Sequence, residues 1–393
     1  MKDDQDDELA IFGGNPVRKN LLSLAEPIIG EEEIIAVEEV LRSGWIREGN
    51  NVKDFERKFS KYVGSKYAVA VSSGTAALHT ACSVCGLKEG DEVIVPSFTH
   101  ISTANAVLYV GATPVFAEVD TMTYNIDPAD VANKITKKTR AIIPVHWGGH
   151  PANMNVLNEI AEQNNLIIIE DSCQALGASI GSKKTGCFGA VGCFSFYPSK
   201  IITTGEGGMI VTNDEDIYEN AKLFRNYGQK WEQRFSHSIL GYNYRISEIQ
   251  AVLGLKQLDR VEDIITKKIL NSKKISKGLE SIEGISAPTT KPDCRHVFVH
   301  YMIQVDENEF GLKRDFLVEA LNAEKIEARF YIPPVHLQPY YINRFNYKEG
   351  YLPETEKISK RVLTLPCSAA LSESDIWDIV LALTKIKGYT YGK

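Results

Sequence analysis

The chain has 393 residues, a formal net charge of −7, and 44% hydrophobic and 24% charged residues, as expected of a soluble globular protein long enough for two domains. An acidic balance without a basic stripe excludes the usual nucleic-acid binder, and no apolar run reaches the length that crosses a bilayer. The acidic opening "MKDDQDDELAIFGG" lacks the marks of a signal peptide and the seven cysteines are scattered, so the expected setting is cytoplasmic with reduced thiols.

Residues 31–42, "EEEIIAVEEVLR", carry apolar positions at helical spacing; "SGWIREG" follows as a loop and "VKDFERKFSKYV" as a second helix. From Tyr67 the pattern alternates. "YAVAVSS" reads as a short buried strand, "GTAALHTACSVCGL" as a helix, "EVIVPSF" as a strand, "STANAVLYVG" as a helix and "TPVFAEVD" as a strand. "TRAIIPVH", "NMNVLNEIAEQNN" and "LIIIEDS" continue as strand, helix and a strand ending in acid, and "AVGCFSF" and "MIVTND" read as two more strands. This rhythm predicts an α/β domain, a mostly parallel sheet wrapped by helices, with functional loops at the carboxyl ends of the strands. Residues 245–283 read as a long helix that leads to a second unit. There "HVFVHYMIQV", "FLVEALNAEKI", "EARFYIP" and "ESDIWDIVLALTKIK" predict a compact α+β domain. The expected division is an N-terminal arm and large domain over 1–265 and a small C-terminal domain over 266–393.

Metal chemistry is not expected. Cys82-x-x-Cys85 lies in an apolar helical stretch with no second pair to answer it, and Trp-Gly-Gly between His146 and His150 breaks any helix that would align them. Three other features stand on successive loops of the predicted sheet. Asp171 ends the apolar run "LIIIED", where a buried carboxylate needs a cationic partner or a cap. Ser73, Gly74 and Thr75 sit between strand and helix, where amides and hydroxyls make either a phosphate cradle or an ordinary cap. Lys200 stands between "FSFYPS" and "TTGEGG"; in a partly dry pocket a lysine becomes a usable amine nucleophile, whereas on a surface it is merely solvated. Together the three match what pyridoxal phosphate requires: a held phosphate, an Asp for the ring nitrogen and a Lys for the aldehyde.

The order and wording of "SSGTAAL", "PVHWGGHPANM", "IEDSCQALGA", "FSFYPSKIITTGEGGMIVTND", "LGYNYRISEIQAVLGLKQL" and "PPVHLQPYY" resemble the DegT/DnrJ/EryC1/StrS aminotransferases from about residue 25 almost to the end. The resemblance implies the aspartate-aminotransferase fold (fold type I): a large domain with a mostly parallel seven-stranded sheet and a smaller C-terminal α+β domain. It implies pyridoxal 5′-phosphate, with Lys200 as the Schiff-base lysine and proton shuttle and Asp171 paired with the pyridine nitrogen. Gln174 falls near the phenolic oxygen, and Gly74, Thr75 and Ser195 fall at the phosphate, joined by Asn243 from the neighbouring subunit of a homodimer. His100 occupies the position where the family usually stacks an aromatic ring on the cofactor. Trp45 and His336 match positions near the sugar pocket.

The implied reaction takes an amino group from L-glutamate, or else glutamine, and places it on a keto-sugar, generally a nucleotide-linked keto-deoxy hexose. A related class that removes sugar hydroxyls carries histidine where this chain has Lys200. Two further readings stay open: a cyclitol or aminohydroxybenzoate-type enzyme without a nucleotide, suggested by "LAIFGGNPVR", and a non-catalytic regulator on the same scaffold.

Overall fold

The structure, a computed structural model, describes residues 8–230, 235–330 and 333–391. These described residues fall into two compact units: those within 27–262 together with 291–297, and those within 8–26, 263–290 and 298–391.

The first unit is built on a seven-stranded sheet. Its strands in chain order are β1 (Tyr67–Val71), β2 (Glu92–Pro96), β3 (Thr113–Ala117), β4 (Thr139–Ile142), β5 (Ile167–Asp171), β6 (Val191–Ser195) and β7 (Gly208–Thr212). In space they run β1-β7-β6-β5-β4-β2-β3. All pairings are parallel except those of β7, which is antiparallel to both β1 and β6. The strands read as unbroken apolar runs because helices cover both faces of such a sheet. The first-unit helices are α1 (Glu31–Ser43), α2 (Asn50–Val63), α3 (Gly74–Val84), α4 (Ser102–Tyr109), α5 (Pro128–Asn133), α6 (Met154–Asn164), α7 (Glu215–Arg225) and α8 (Glu248–Asp259).

Two packing details fix the α2–α8 pair. Gly49 has no side chain to cap α2, and Glu248 of α8 does so instead, accepting from the Asn51 and Val52 amides at 3.0 Å each. Gly254 lets α8 approach α2 closely: a Cβ there would lie 2.6 Å from the buried ring of Phe55.

Helical sequence across 245–283 forms two helices, α8 and α9 (Val261–Leu279), not one. The break falls at Arg260, whose guanidinium turns back to Glu33 at 2.6 Å and to the Ile28 carbonyl. Residues 291–297 return to the first unit, where Cys294–Arg295 pairs with Ser179–Ile180 and the Lys291 amide donates to His150 Nε2 at 3.0 Å. The strand expected from His296 starts only at Tyr301, because Phe298 takes a left-handed φ of 49°.

The second unit holds a four-stranded antiparallel sheet of β8 (Ile285–Ser286), β9 (Tyr301–Val305), β10 (Arg329–Phe330) and β11 (Val362–Leu365), in the order β8-β9-β11-β10. Tyr301, Leu317, Leu321, Leu363, Ile379 and Leu383 form its core with helices α10 (Arg314–Ala323) and α11 (Glu373–Tyr391). The N-terminal stretch, expected to go with the large domain, belongs to this unit. Leu9 is fully buried in the same core, and the Ala10 and Val17 amides donate to the Glu324 carboxylate at 2.9 and 2.8 Å. Among the described residues no helix is long and apolar enough to cross a membrane.

Gly254→Ala tests the α2–α8 approach. Overpacking against Phe55 costs about 1–3 kcal/mol, more than the roughly 1 kcal/mol that alanine gains in helix propensity, so the melting temperature falls.

Candidate active site

Val71 of β1 and Ser195 of β6 both lie opposite Gly208, the first residue of the antiparallel strand β7. This register brings the β1–α3 turn, the end of β6 and the start of β7 to one spot, where glycine sets the spacing. A Cβ on Gly74 would lie 2.8 Å from Ser195 Cβ and 2.9 Å from Cys173 Sγ, and one on Gly208 would lie 2.4 Å from the Ser73 carbonyl oxygen. Ser73 caps α3 by accepting from the Ala76 amide at 3.1 Å. The first amides of α3 have no carbonyl partner within the helix and carry the positive end of its dipole. Thr75 Oγ1 lies 2.8 Å from Ser102 Oγ at the start of α4. These donors, with Ser195, make a cradle suited to phosphate.

The cradle helix is anchored further along. His79 is buried in α3, and its Nδ1 lies 3.0 Å from the Tyr244 hydroxyl. Tyr242, Phe224 and Tyr109 surround the imidazole with ring centroids 4.9, 5.2 and 5.3 Å away. The Ser72 amide donates to the Tyr244 carbonyl at 2.8 Å. Burial lowers the His79 pKa to about 4, so the ring is neutral at neutral pH.

Asp171 and Glu170 end β5 pointing to opposite faces, as strand geometry requires. Asp171 is 4% exposed; its Oδ2 accepts from Thr103 Oγ1 at 2.7 Å and its Oδ1 from the Cys173 amide at 3.2 Å. Its backbone is held by donation to the Pro144 carbonyl at 2.9 Å and acceptance from the His146 amide at 3.1 Å. Glu170 accepts from the Gly186 and Gly189 amides at 2.8 and 2.7 Å and from His146 Nε2 at 2.9 Å. His146 Nδ1 accepts from the Ala152 amide at 3.0 Å, which places the ring proton on Nε2.

Lys200 lies half-buried in the loop between β6 and β7. Burial lowers its pKa against the opposing pull of Cys173 and Asp171. Burial and then Asp171 hold the Cys173 thiol well above its ordinary range, so it is neutral. His100, at the solvent-exposed rim, also has a lowered pKa, from the surrounding protein first and then from Lys200, with Asp171 opposing. Its Nδ1 accepts from the Ser102 amide at 3.3 Å. Gln174 is buried, its Oε1 accepting from the Gly148 amide at 2.8 Å.

Gly74, Thr75, His100, Asp171, Gln174, Ser195 and Lys200 therefore all stand at or just beyond the carboxyl ends of strands in one unit. Asn243 is exposed on the segment held by Tyr242 and Tyr244. Trp45 is 51% exposed, under the Arg47 guanidinium at 4.3 Å, and lines a cavity of about 1120 Å³ with Lys53, Lys222 and Lys230. His336 belongs to the other unit, where its ring is fully buried and its Nε2 lies 3.0 Å from Glu356 Oε1. Ser102, Thr103 and Cys173 join the site without having been singled out in the sequence. No local pattern marks Thr103, because a threonine in the first turn of a helix is commonplace. Among the described residues no group of three or more His, Cys, Asp or Glu is placed to hold a metal ion.

The DegT/DnrJ/EryC1/StrS aminotransferase family matches residues 27–384. The chain belongs to this family. The aminotransferase is 38% identical over 370 residues to the GDP-perosamine synthase of Caulobacter vibrioides, covering 93% of this chain and 98% of that one. It is similar to the structure of S. venezuelae DesV in complex with a ketimine intermediate, with 35% identity, a TM-score of 0.85 and coverage of 91% of this chain and 94% of that one. DesI, solved in the presence of its TDP-sugar product, gives 30% identity and a TM-score of 0.89, covering 98% of both chains. The fold is that of the pyridoxal-phosphate enzymes of fold type I, and pyridoxal 5′-phosphate is the cofactor. The residues present fit it: a cradle that a Cβ on Gly74 would fill, a fixed buried carboxylate and an amine shifted toward its neutral form.

The neutral His79 makes stability depend on pH. Its folded pKa lies below the unfolded value, so its contribution is complete above about pH 6.5 and declines toward about pH 4, by on the order of 3 kcal/mol in all. Urea unfolding across that range should show a steeper acid loss in the wild type than in His79→Gln, with parallel curves above about pH 7.

Proposed function

We propose that the aminotransferase moves an amino group from L-glutamate to the ketone of a nucleotide-linked deoxy sugar in amino-sugar biosynthesis. The observation that carries the chemical part is the setting of Lys200, an amine drawn toward neutrality by burial with the Asp171 carboxylate in electrostatic reach. The nucleotide-sugar part is supported by relatives named for a GDP-linked and a TDP-linked sugar across nearly the whole chain.

When bound, the cofactor supplies an electron sink for the carbon that loses or gains a proton. With the cofactor bound, Lys200 Nζ would hold its aldehyde carbon at rest, and the same amine would move a proton off the donor carbon in the first half-reaction and onto the sugar carbon in the second. Asp171 would pair with the ring nitrogen and keep it protonated. Gly74, Thr75 and Ser195 would bind the phosphate, Gln174 would serve the phenolic oxygen, and His100 would cover the ring. We further assign a homodimer in which Asn243, exposed on its own chain, completes the phosphate site of the partner. A cytoplasmic setting accords with seven free thiols.

Borohydride reduction of the yellow wild-type protein should leave cofactor covalently attached to the peptide bearing Lys200. Lys200→Ala should retain none and should lose amino transfer from glutamate by about 10²–10⁴-fold. Cofactor fixed on another lysine would remove the assignment.

A second measurement addresses the shared site. A purified heterodimer of Lys200→Ala and Asn243→Ala chains carries one intact site if Asn243 serves its partner, and should regain roughly half of wild-type activity. An inactive heterodimer would place Asn243 elsewhere.

A further inference from the structure

Behind Asp171 stand two hydroxyls whose proton directions are fixed by counting donors. Thr103 Oγ1 donates to Asp171 Oδ2 at 2.7 Å and lies 3.1 Å from Thr99 Oγ1. Thr99 and Thr103 are 2% and 0% exposed. A hydroxyl has one proton to give, and an ionised carboxylate accepts only. Thr103 spends its proton on Asp171, so the Thr99–Thr103 bond can form only with Thr99 as donor. The two dipoles then align head to tail toward the carboxylate, and in a buried setting each strengthens the other. Both threonines stand where strand β2 gives way to α4: Thr99 precedes the helix and Thr103 lies in its first turn.

We propose that Thr103, backed by Thr99, is a positioning residue for amino transfer: the hydroxyl pair holds the Asp171 carboxylate ionised and in one orientation. This rests on the assignment of Asp171 to the ring nitrogen. Neither threonine touches the reacting atoms in this account. They act through Asp171, and their loss changes how firmly the ring nitrogen keeps its proton.

The test uses the holoenzyme and shape-conserving substitutions. Thr103→Val removes one hydrogen bond to a charged group, so kcat should fall roughly tenfold to a hundredfold while KM for glutamate stays within about threefold. The pH titration of the bound cofactor's visible absorbance should shift in the same variant. Thr103→Ser keeps the hydroxyl and should restore both. Thr99→Val should shift the titration in the same direction by a smaller amount. The double variant Thr99→Val/Thr103→Val should match Thr103→Val alone to within about twofold, because Thr99 acts only through Thr103.

An unmoved titration and kcat in Thr103→Val, or losses in the double variant that multiply, would overturn the proposal. If Thr103→Val fails to fold, Thr99→Val alone decides: no shift in its titration counts against the relay. Asp171→Ala separates the two levels. If it is crippled while Thr103→Val is silent, the relay fails and the Asp171 assignment survives. If Asp171→Ala turns over normally, the assignment itself is lost.

Discussion

A carboxylate buried at the end of a central strand is costly unless its lone pairs are met, and the site is arranged around meeting them. Asp171 is supplied by one hydroxyl and one backbone amide. Its neighbour Glu170, on the opposite face, is supplied by loop amides and a neutral-tautomer histidine donor. Strand periodicity thus separates two adjacent acids into different tasks. One pins the 186–189 loop, and the other is presented toward the amine. Removing the donors from either acid would strand a charge in a poorly solvating interior, which is far more damaging than losing a surface pair.

The amine side of the site follows from the same balance. Lys200 is neither fully hidden nor free, and the surrounding protein pushes its charge off more strongly than Asp171 holds it on. Cys173 stands beside both, and its thiol stays protonated because the same burial and the same anion oppose a second negative charge. It therefore occupies space under Gly74 without competing for the role of base.

Much of this was legible before any coordinates. The β1–β5 runs are short, apolar and separated by helices, and β6 and β7 follow as two further apolar runs, so their order along the chain and the placement of functional groups at their carboxyl ends follow from pattern alone. Lys200, Asp171 and the Ser73–Thr75 turn stood out because each is chemically odd for its surroundings. Other features depend on partners far away in sequence. Ala10 and Glu324 meet across 314 residues of sequence, and nothing local says that the N-terminal stretch belongs with the second core. The helix break at Arg260 depends on Glu33, and the late start of β9 on one backbone angle at Phe298. Thr103 was hidden for a simpler reason: a threonine in the first turn of a helix is commonplace, and only its distance to Asp171 distinguishes it. His336 carried a recognisable motif, yet the fold gives it a wholly interior ring bonded to Glu356.

The reversed direction of β7 has a consequence for the lysine. Ser195 and Gly208 are cross-strand partners, so the segment that carries Lys200 leaves and rejoins the sheet at one point. Inside this span the Phe196 amide donates to the Gly207 carbonyl at 2.9 Å, Thr204 to Phe196 at 3.0 Å and Lys200 to Tyr197 at 2.9 Å. The span is a cinched bight, and most of the entropy of ordering it is spent when the sheet forms. The arm of the lysine can swing while its root stays put, so the protein's amine is moored before any cofactor arrives.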